Sequence, residues 1–283
     1  MNTEMIAATG NEQKMVEIRQ ILASSGIRLI TMKDAGLDLD IVENGTTFEE
    51  NALLKARAVA ASSGKMAIAD DSGLVVDAMG GEPGIHSARW MGHDTSYDIK
   101  NREIIRLVDE YCAKMSDAVK EDEFAGSDGS VRIAGSDRSV RIAGSDGSVR
   151  IAGSNGSAGS AGPGSMEGAE EILLSGDAAS VRDSVPHPGC DANGVPGPLR
   201  SARFVCSVAV VWPDGKERTA TGVLEGRIHS RQCGTNGFGY DPIFFLPEYG
   251  MTSGQIPREE KNRISHRGQA FRKIREILEK EIS

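Results

Sequence analysis

Met5-Ile6-Ala7-Ala8-Thr9-Gly10-Asn11-Glu12-Gln13-Lys14 joins an apolar run to a polar turn, and then to a segment whose apolar residues recur at helical spacing. Met15, Ile18 and Leu22 share one face of Lys14–Ser24, so the stretch reads strand, loop, helix. Gly10 lets the backbone approach a ligand closely, the helix start presents unpaired N–H groups and a positive dipole end, and Lys14 adds a point charge. That geometry suits a phosphate group. It equally describes a plain strand-to-helix turn capped by Asn11. It is not a phosphate loop of the GxxxxGKS/T form, because Gly64-Lys65 is followed by Met66.

Working outward, the alternation of strand and helix continues. Phe48–Ser63 is rich in Ala and Leu and follows Thr47, a helix-capping residue. Met66–Ala69 reads as a buried strand running into an acidic turn, Asp70-Asp71-Ser72-Gly73. Tyr97–Lys114 is a further helix. Phe204–Trp212 and Glu217–Leu224 flank Pro213-Asp214-Gly215-Lys216, a hairpin signal. A last helix runs from near Ser265 to about Lys280, with Ala270, Ile274, Ile277 and Leu278 inward. The pattern predicts an α/β protein with a mixed sheet.

One region departs from it. Residues 125–165 hold 10 Gly, 10 Ser and 6 Ala, and no aromatic residue occurs between Phe124 and Phe204. A nine-residue unit repeats as AGSDGSVRI (125–133), AGSDRSVRI (134–142) and AGSDGSVRI (143–151), then decays to AGSNGSAGS (152–160). One Val and one Ile per unit bury too little apolar surface to offset the ordering entropy, which predicts a flexible Gly/Ser linker. A β-solenoid is the alternative that such a period allows. Proline punctuates the stretch to 200, with a short helix predicted around Ile172–Leu174. Residues 1–112 and 201–283 therefore read as one domain, interrupted by a Gly/Ser/Pro-rich insert at 113–200.

The 283 residues carry 32 Lys+Arg against 41 Asp+Glu, a net charge of −9 that argues against broad binding to a nucleic-acid backbone. Apolar stretches such as Val208–Trp212 fall far short of the ~20 residues of a membrane span. Met1–Gly10 lacks the basic head and apolar core of a signal peptide. Cys112, Cys190, Cys206 and Cys233 form no CxxC pair, as expected of reduced thiols in the cytoplasm.

Several constellations bear chemistry. Adjacent carboxylates at Asp70 and Asp71 repel unless a cation or hydrogen-bond donors neutralise them, and oxygen ligands suit Mg²⁺; an Asx-turn is the structural alternative. Thr47-Phe48-Glu49-Glu50 fits a capping box, although a carboxylate at a helix start also suits a second metal ligand. Gly234-Thr235-Asn236-Gly237-Phe238-Gly239-Tyr240-Asp241-Pro242 is a glycine-rich loop able to lay an aromatic ring on a ligand, or a tight turn with Tyr240 in the core. Glu259-Glu260-Lys261-Asn262 and Ser265-His266-Arg267-Gly268 place donors at the start of the last helix.

In this order the motifs resemble the inosine/xanthosine triphosphate pyrophosphatase family. The matching stretches are ATGNEQKMVEI (8–18), TFEENALLKARAVA (47–60), ADDSGLVVDAMGGEPGIHSAR (69–89), GFGYDPIF (237–244) and EEKNRISHRGQAFRK (259–273). The resemblance implies an elongated mixed sheet with helices forming two lobes around a central cleft, usually as a homodimer. It implies Mg²⁺-dependent hydrolysis of ITP, dITP and XTP to the monophosphate and pyrophosphate. Carried across by motif, Thr9, Gly10, Asn11, Glu12, Gln13 and Lys14 hold the triphosphate. Glu50 and Asp71 bind Mg²⁺, with Asp71 also the base, and Ser72 contacts substrate. Phe238, Gly239, Tyr240, Asp241, Lys261, His266 and Arg267 form the nucleoside side. The chain departs from the family at Gln13, where Gly is frequent, at Gln255, where Glu is common, and in the insert.

Overall fold

A computed structural model of the protein describes residues 3–22, 26–92, 94–125, 140–142, 149–151, 188–191 and 194–282. The chain divides into two compact units, Met1–Ala113 with His187–Ser283, and Lys114–Pro186. The elements in chain order are β1 (Thr3–Ala7), α1 (Glu12–Leu22), β2 (Ile27–Thr31), α2 (Phe48–Ser63), β3 (Ala67–Val76), α3 (Tyr97–Ala125), β4 (Val140–Ile142), β5 (Val149–Ile151), β6 (Ser201–Val211), β7 (Glu217–Ile228), β8 (Phe244–Leu246), β9 (Met251–Thr252), α4 (Arg258–Ile264) and α5 (His266–Ile282).

The first unit is built on a mixed seven-stranded sheet of order β2-β1-β3-β6-β7-β8-β9. β1 runs parallel to β2 and β3, and the remaining pairings are antiparallel. Successive strand residues point to opposite faces, and both faces here are buried, which accounts for the continuous apolar runs. Met5, Ala7, Ile68, Val208 and Val210 pack on Met15, Ile18 and Leu22 of α1 and on Phe271, Ile274 and Leu278 of α5. Ile6, Ala8, Ala67, Ala69 and Ala209 pack on Ala52, Ala56, Val59 and Ala60 of α2, whose alanine stripe lets that helix lie close to the sheet. Farther along, Leu74, Val76 and Phe204 meet Ile104 and Val108 of α3 and Tyr240, Ile243 and Phe244. The α/β class with a mixed sheet and flanking helices is as expected from the alternation.

α2 matches its expected span, with Thr47 Oγ1 accepting the Glu50 N–H at 3.1 Å and Gly64 closing the helix at φ 63°. β3 does not match. The strand expected to stop at Ala69 runs on to Val76, because Asp70, Asp71 and Ser72 pair with Val208, Ser207 and Cys206 of β6. The acidic quartet is therefore strand, and no turn forms there. β1 pairs with β3 only at Ala67 and Ile68, and farther along that edge Val75 bridges Pro83 antiparallel. The donors at 259–262 belong to a separate helix, α4, and do not start the last one.

Residues 188–200, read above as insert, close onto the first unit. Arg200 is fully buried, its Nη1 bonding Asp109 Oδ1 at 2.5 Å and the Pro188 carbonyl at 2.7 Å, its Nε the Ile228 carbonyl at 2.7 Å. α3 likewise runs past the expected boundary to Ala125. Most of the repeat region and the helix expected near Ile172–Leu174 lie outside the described residues. In the second unit β4 and β5, the VRI triplets of successive repeats, pair antiparallel with Arg141 opposite Arg150. No helix among the described residues is long and apolar enough to cross a membrane.

Candidate active site

Where β1 ends, the chain turns through Thr9–Asn11 into α1. Thr9 Oγ1 accepts the Asn11 N–H at 3.2 Å, and Asn11 Oδ1 accepts the Lys14 N–H at 3.1 Å, so Asn11 caps the helix. Beside this turn, at the carboxyl end of a parallel strand, opens a cleft of about 460 Å³. Asn11 and Lys14 line it; Thr9, Gly10 and Glu12 do not, and the Gln13 side chain lies outside the described atoms. A Cβ at Gly10 would meet nothing within 4 Å, so packing does not demand glycine there.

The strand geometry of β3 separates the two aspartates. Asp70 faces α1 and α5, where Lys14 Nζ lies 2.9 Å and Arg267 Nε 3.5 Å from its Oδ2. Burial alone would raise the Asp70 pKa, but the Lys14, Arg267 and Lys55 charges hold it far below the ordinary carboxylate range. Asp71 faces α2. Its Oδ2 accepts from Asn51 Nδ2 at 3.1 Å, and Lys55 Nζ stands 3.7 Å from Oδ1. Burial outweighs those partners and pushes the Asp71 pKa up. Gly73 makes the close approach possible, since a Cβ there would lie 2.4 Å from the Gly84 carbonyl oxygen and from Ser87 Oγ.

Glu50 does not reach this cleft. Its Oε2 accepts from the Thr46 N–H at 2.6 Å and the Thr46 hydroxyl at 2.8 Å, which places it at the exposed start of α2. These bonds hold its carboxyl below the ordinary pKa. The capping alternative thus describes Glu50, one residue displaced from the expected Thr47 amide. The acid that joins Asp71 is Glu43, on the segment before α2, whose Oε1 accepts from Lys55 Nζ at 3.1 Å. Asn51 ties that segment in place, accepting the Gly45 N–H at 2.8 Å while donating to Asp71.

The glycine-rich loop closes the opposite side. Asp241 Oδ2 accepts the Phe238 N–H at 2.7 Å and Lys261 Nζ at 2.5 Å, and Oδ1 accepts Ser253 Oγ at 2.9 Å. Its carboxylate is occupied in holding the loop. Gly237, at φ 78°, has no room for a side chain: a Cβ would fall 2.1 Å from Asp241 Oδ2. The loop presents Phe238 with Lys261 Nζ 5.4 Å and the Arg267 guanidinium 5.5 Å from its ring centroid. Gly239 lines the cleft beside it. Tyr240 is buried, as its core alternative expected, with its hydroxyl donating to the Ser87 carbonyl at 2.8 Å and its ring edge-on to Tyr97. Gln255 caps locally, accepting the Thr252 N–H at 3.0 Å.

His266 stacks on Phe204 with ring centroids 4.8 Å apart, and its buried Nδ1 has no hydrogen-bond partner. Burial pushes its pKa well below the ordinary value, so the ring is neutral. Arg267 donates from Nη2 to Ser72 Oγ at 3.1 Å and from Nη1 to Glu17. Sequence reasoning missed Glu17, Glu43, Asn51 and Lys55. Asn51 and Lys55 carried one readable signal, polar residues four apart beside the alanine stripe of α2.

The α/β sheet thus carries, at the end of β1, a cleft lined by Lys14, Lys55, Lys261 and Arg267, by Glu17, Glu43, Asp71 and Asp241, and by the Phe238 ring that two of the cations back. The chain belongs to the Ham1 family, whose model matches residues 5–121 and 192–277. It is 34% identical over 278 residues to a dITP/XTP pyrophosphatase of Listeria monocytogenes, covering 98% of this chain and 95% of that protein. It is also 34% identical to a dITP/XTP pyrophosphatase of Symbiobacterium thermophilum, covering 97% and 94%. The Staphylococcus aureus Ham1 protein superimposes with a TM-score of 0.59 at 28% identity, over 99% of this chain and 100% of that one. A HAM1 protein from Coxiella burnetii gives a TM-score of 0.60 at 26% identity, over 98% and 99%.

Proposed function

We infer that this protein is a nucleoside triphosphate pyrophosphatase that hydrolyses ITP, dITP and XTP to the monophosphate and pyrophosphate, removing them from the nucleotide pool. The observation that carries the reading is a juxtaposition. Glu43 and Asp71 share the Lys55 ammonium in the same cleft that holds Phe238 against Lys261 and Arg267. The names of the relatives point the same way.

Two carboxylates on one lysine leave an excess of negative oxygen, a donor set suited to a hard divalent cation. In this reading Glu43 and Asp71 hold Mg²⁺, which supplies positive charge to the phosphates when bound. Lys14 and the N–H groups opening α1 face the triphosphate, and the clearance at Gly10 admits it. Asp71, its carboxyl made more basic by burial, takes the proton of the attacking water. The water oxygen bonds the α-phosphorus, and the bond to the oxygen bridging α and β breaks to release pyrophosphate.

Phe238 stacks on the purine. Arg267, which lines the cleft beside Phe238, meets the purine edge, where a guanidinium donor finds a 6-keto oxygen but no acceptor in the 6-amino group of adenine. Following the resemblance, the reading places the enzyme in the cytoplasm as a homodimer, which sedimentation of the full chain tests. The deciding experiment is pyrophosphate release from ITP, XTP, dITP, GTP and ATP, each with and without Mg²⁺. Fast, metal-dependent release from the first three is expected; binding without release would overturn the reading.

A further inference from the structure

We propose that Asp70 is a positioning residue that couples the phosphate-facing lysine of the cleft to the arginine facing the purine. The inference rests on the functional reading above and adds a residue outside the cleft wall. Asp70 has a fully buried side chain, and it gathers cations from the two ends of the chain: Lys14 of α1 at 2.9 Å and Arg267 of α5 at 3.5 Å. Arg267 in turn bonds Ser72 and Glu17 and backs the Phe238 ring.

The two contacts are unequal. The Lys14 contact is a hydrogen bond, whereas 3.5 Å to Arg267 is Coulombic range only, and Asp70 Oδ1 makes no hydrogen bond at all. Both cations thus lie at the same oxygen, Oδ2, one bonded to it and the other not. In a buried setting both attractions are strong, so whatever draws Lys14 away changes the pull on Arg267. Phosphate binding and purine recognition are then linked through one carboxylate, and linkage of this kind is reciprocal. Asp70 touches neither phosphate nor purine and acts through the two cations.

The test compares kcat/KM for ITP and for ATP, together with the inhibition constant of inorganic tripolyphosphate, in the full chain and in Asp70→Asn. The ITP/ATP ratio should fall about tenfold and the tripolyphosphate constant rise about tenfold, as for contacting groups in one network. A carboxylate with only a structural role would lower kcat for both nucleotides alike and leave the ratio and the inhibition constant unchanged. That result overturns the proposal.

If the two cations left together in the interior prevent Asp70→Asn from folding, Lys14→Met supplies the reading. With the lysine gone, Asp70 draws Arg267 off Ser72, and the ITP/ATP ratio should fall about threefold although Lys14 faces no purine. An unchanged ratio there overturns the proposal. A wild-type protein without preference for ITP removes the functional reading and the coupling together. A preference that survives both substitutions removes the coupling alone.

Discussion

Glu43 and Asp71 converge on one ammonium group, with Lys55 Nζ 3.1 Å from the first and 3.7 Å from the second, although one acid stands on an irregular segment and the other on a strand. Exchanging Glu43 for Gln should therefore lower turnover of ITP about a hundredfold, as for loss of one preorganised charge at a reacting phosphate. Glu50→Gln should leave turnover within about twofold of wild type and act on the start of α2 instead, lowering Tm. Steady-state kinetics on the pair of variants decide between the two acids. Equal losses would mean that both serve the metal.

Asp71→Asn retains the Asn51 contact geometry and removes the basic oxygen. Nucleotide binding should persist while kcat drops by about 10² to 10⁴. Calorimetric titration with ITP alongside turnover checks this, and a variant running at the wild-type rate would place the base elsewhere.

Gly73→Ala tests how closely β3 approaches its neighbours. The new Cβ would sit 2.4 Å from a backbone carbonyl and 3.0 Å from Phe48 Cε1. Overpacking of this kind should cost about 1–3 kcal/mol, visible as a lower Tm, and should lower turnover because Asp71 lies on the same face of the strand.

His266 makes stability depend on pH. Its folded pKa is depressed by burial, so the unfolded chain binds the proton more readily. The stabilisation is complete above the unfolded value of about 6.5 and is lost as pH falls below it. Tm should decline from pH 7.5 to 5.5 in the wild type and decline less in His266→Gln. Parallel melting curves in the two proteins would refute the assignment. Asp70 acts in a lower window, since its stabilisation is lost only below the ordinary carboxylate pKa of about 3.9.

The domain reading predicts that removing residues 126–165 leaves ITP turnover unchanged, provided that the Arg200–Asp109 pair is kept. Loop closure changes by only ~0.6 kcal/mol per doubling of length, so Tm should move by a few degrees at most. Loss of solubility or of turnover would show that the repeats are part of the working unit.

Local signals made much of this molecule legible. The Thr47 cap and the apolar spacing delimited α2, and the loop after β1 announced its own capping through Asn11. What escaped depended on distant partners. Asp70 and Asp71 look like a turn because acidic pairs usually are one; only the ladder with β6, more than a hundred residues away, keeps them extended. Glu50 carried a capping pattern beside its metal reading, and its carboxylate bonds the Thr46 amide and hydroxyl. Glu43 has no periodic context. It becomes visible only when Lys55 and Asn51 bring its segment to the strand.

The β3 edge that β1 leaves beyond Ile68 has a consequence for aggregation. A strand with bare amide and carbonyl groups invites pairing with another chain, and proteins usually block such edges. Beyond Ile68, Leu74 N–H is taken by Ser87 Oγ at 2.9 Å and Val76 N–H by the Glu82 carbonyl at 3.2 Å. Before them Ser72 N–H is taken by Asp71 Oδ1 at 3.0 Å, so the acid that lines the cleft also masks the strand beside it. The cleft opens where a foreign strand would otherwise add, and a charged side chain guards it. Substitution of that carboxylate is thus expected to act on resistance to aggregation as well as on the cleft.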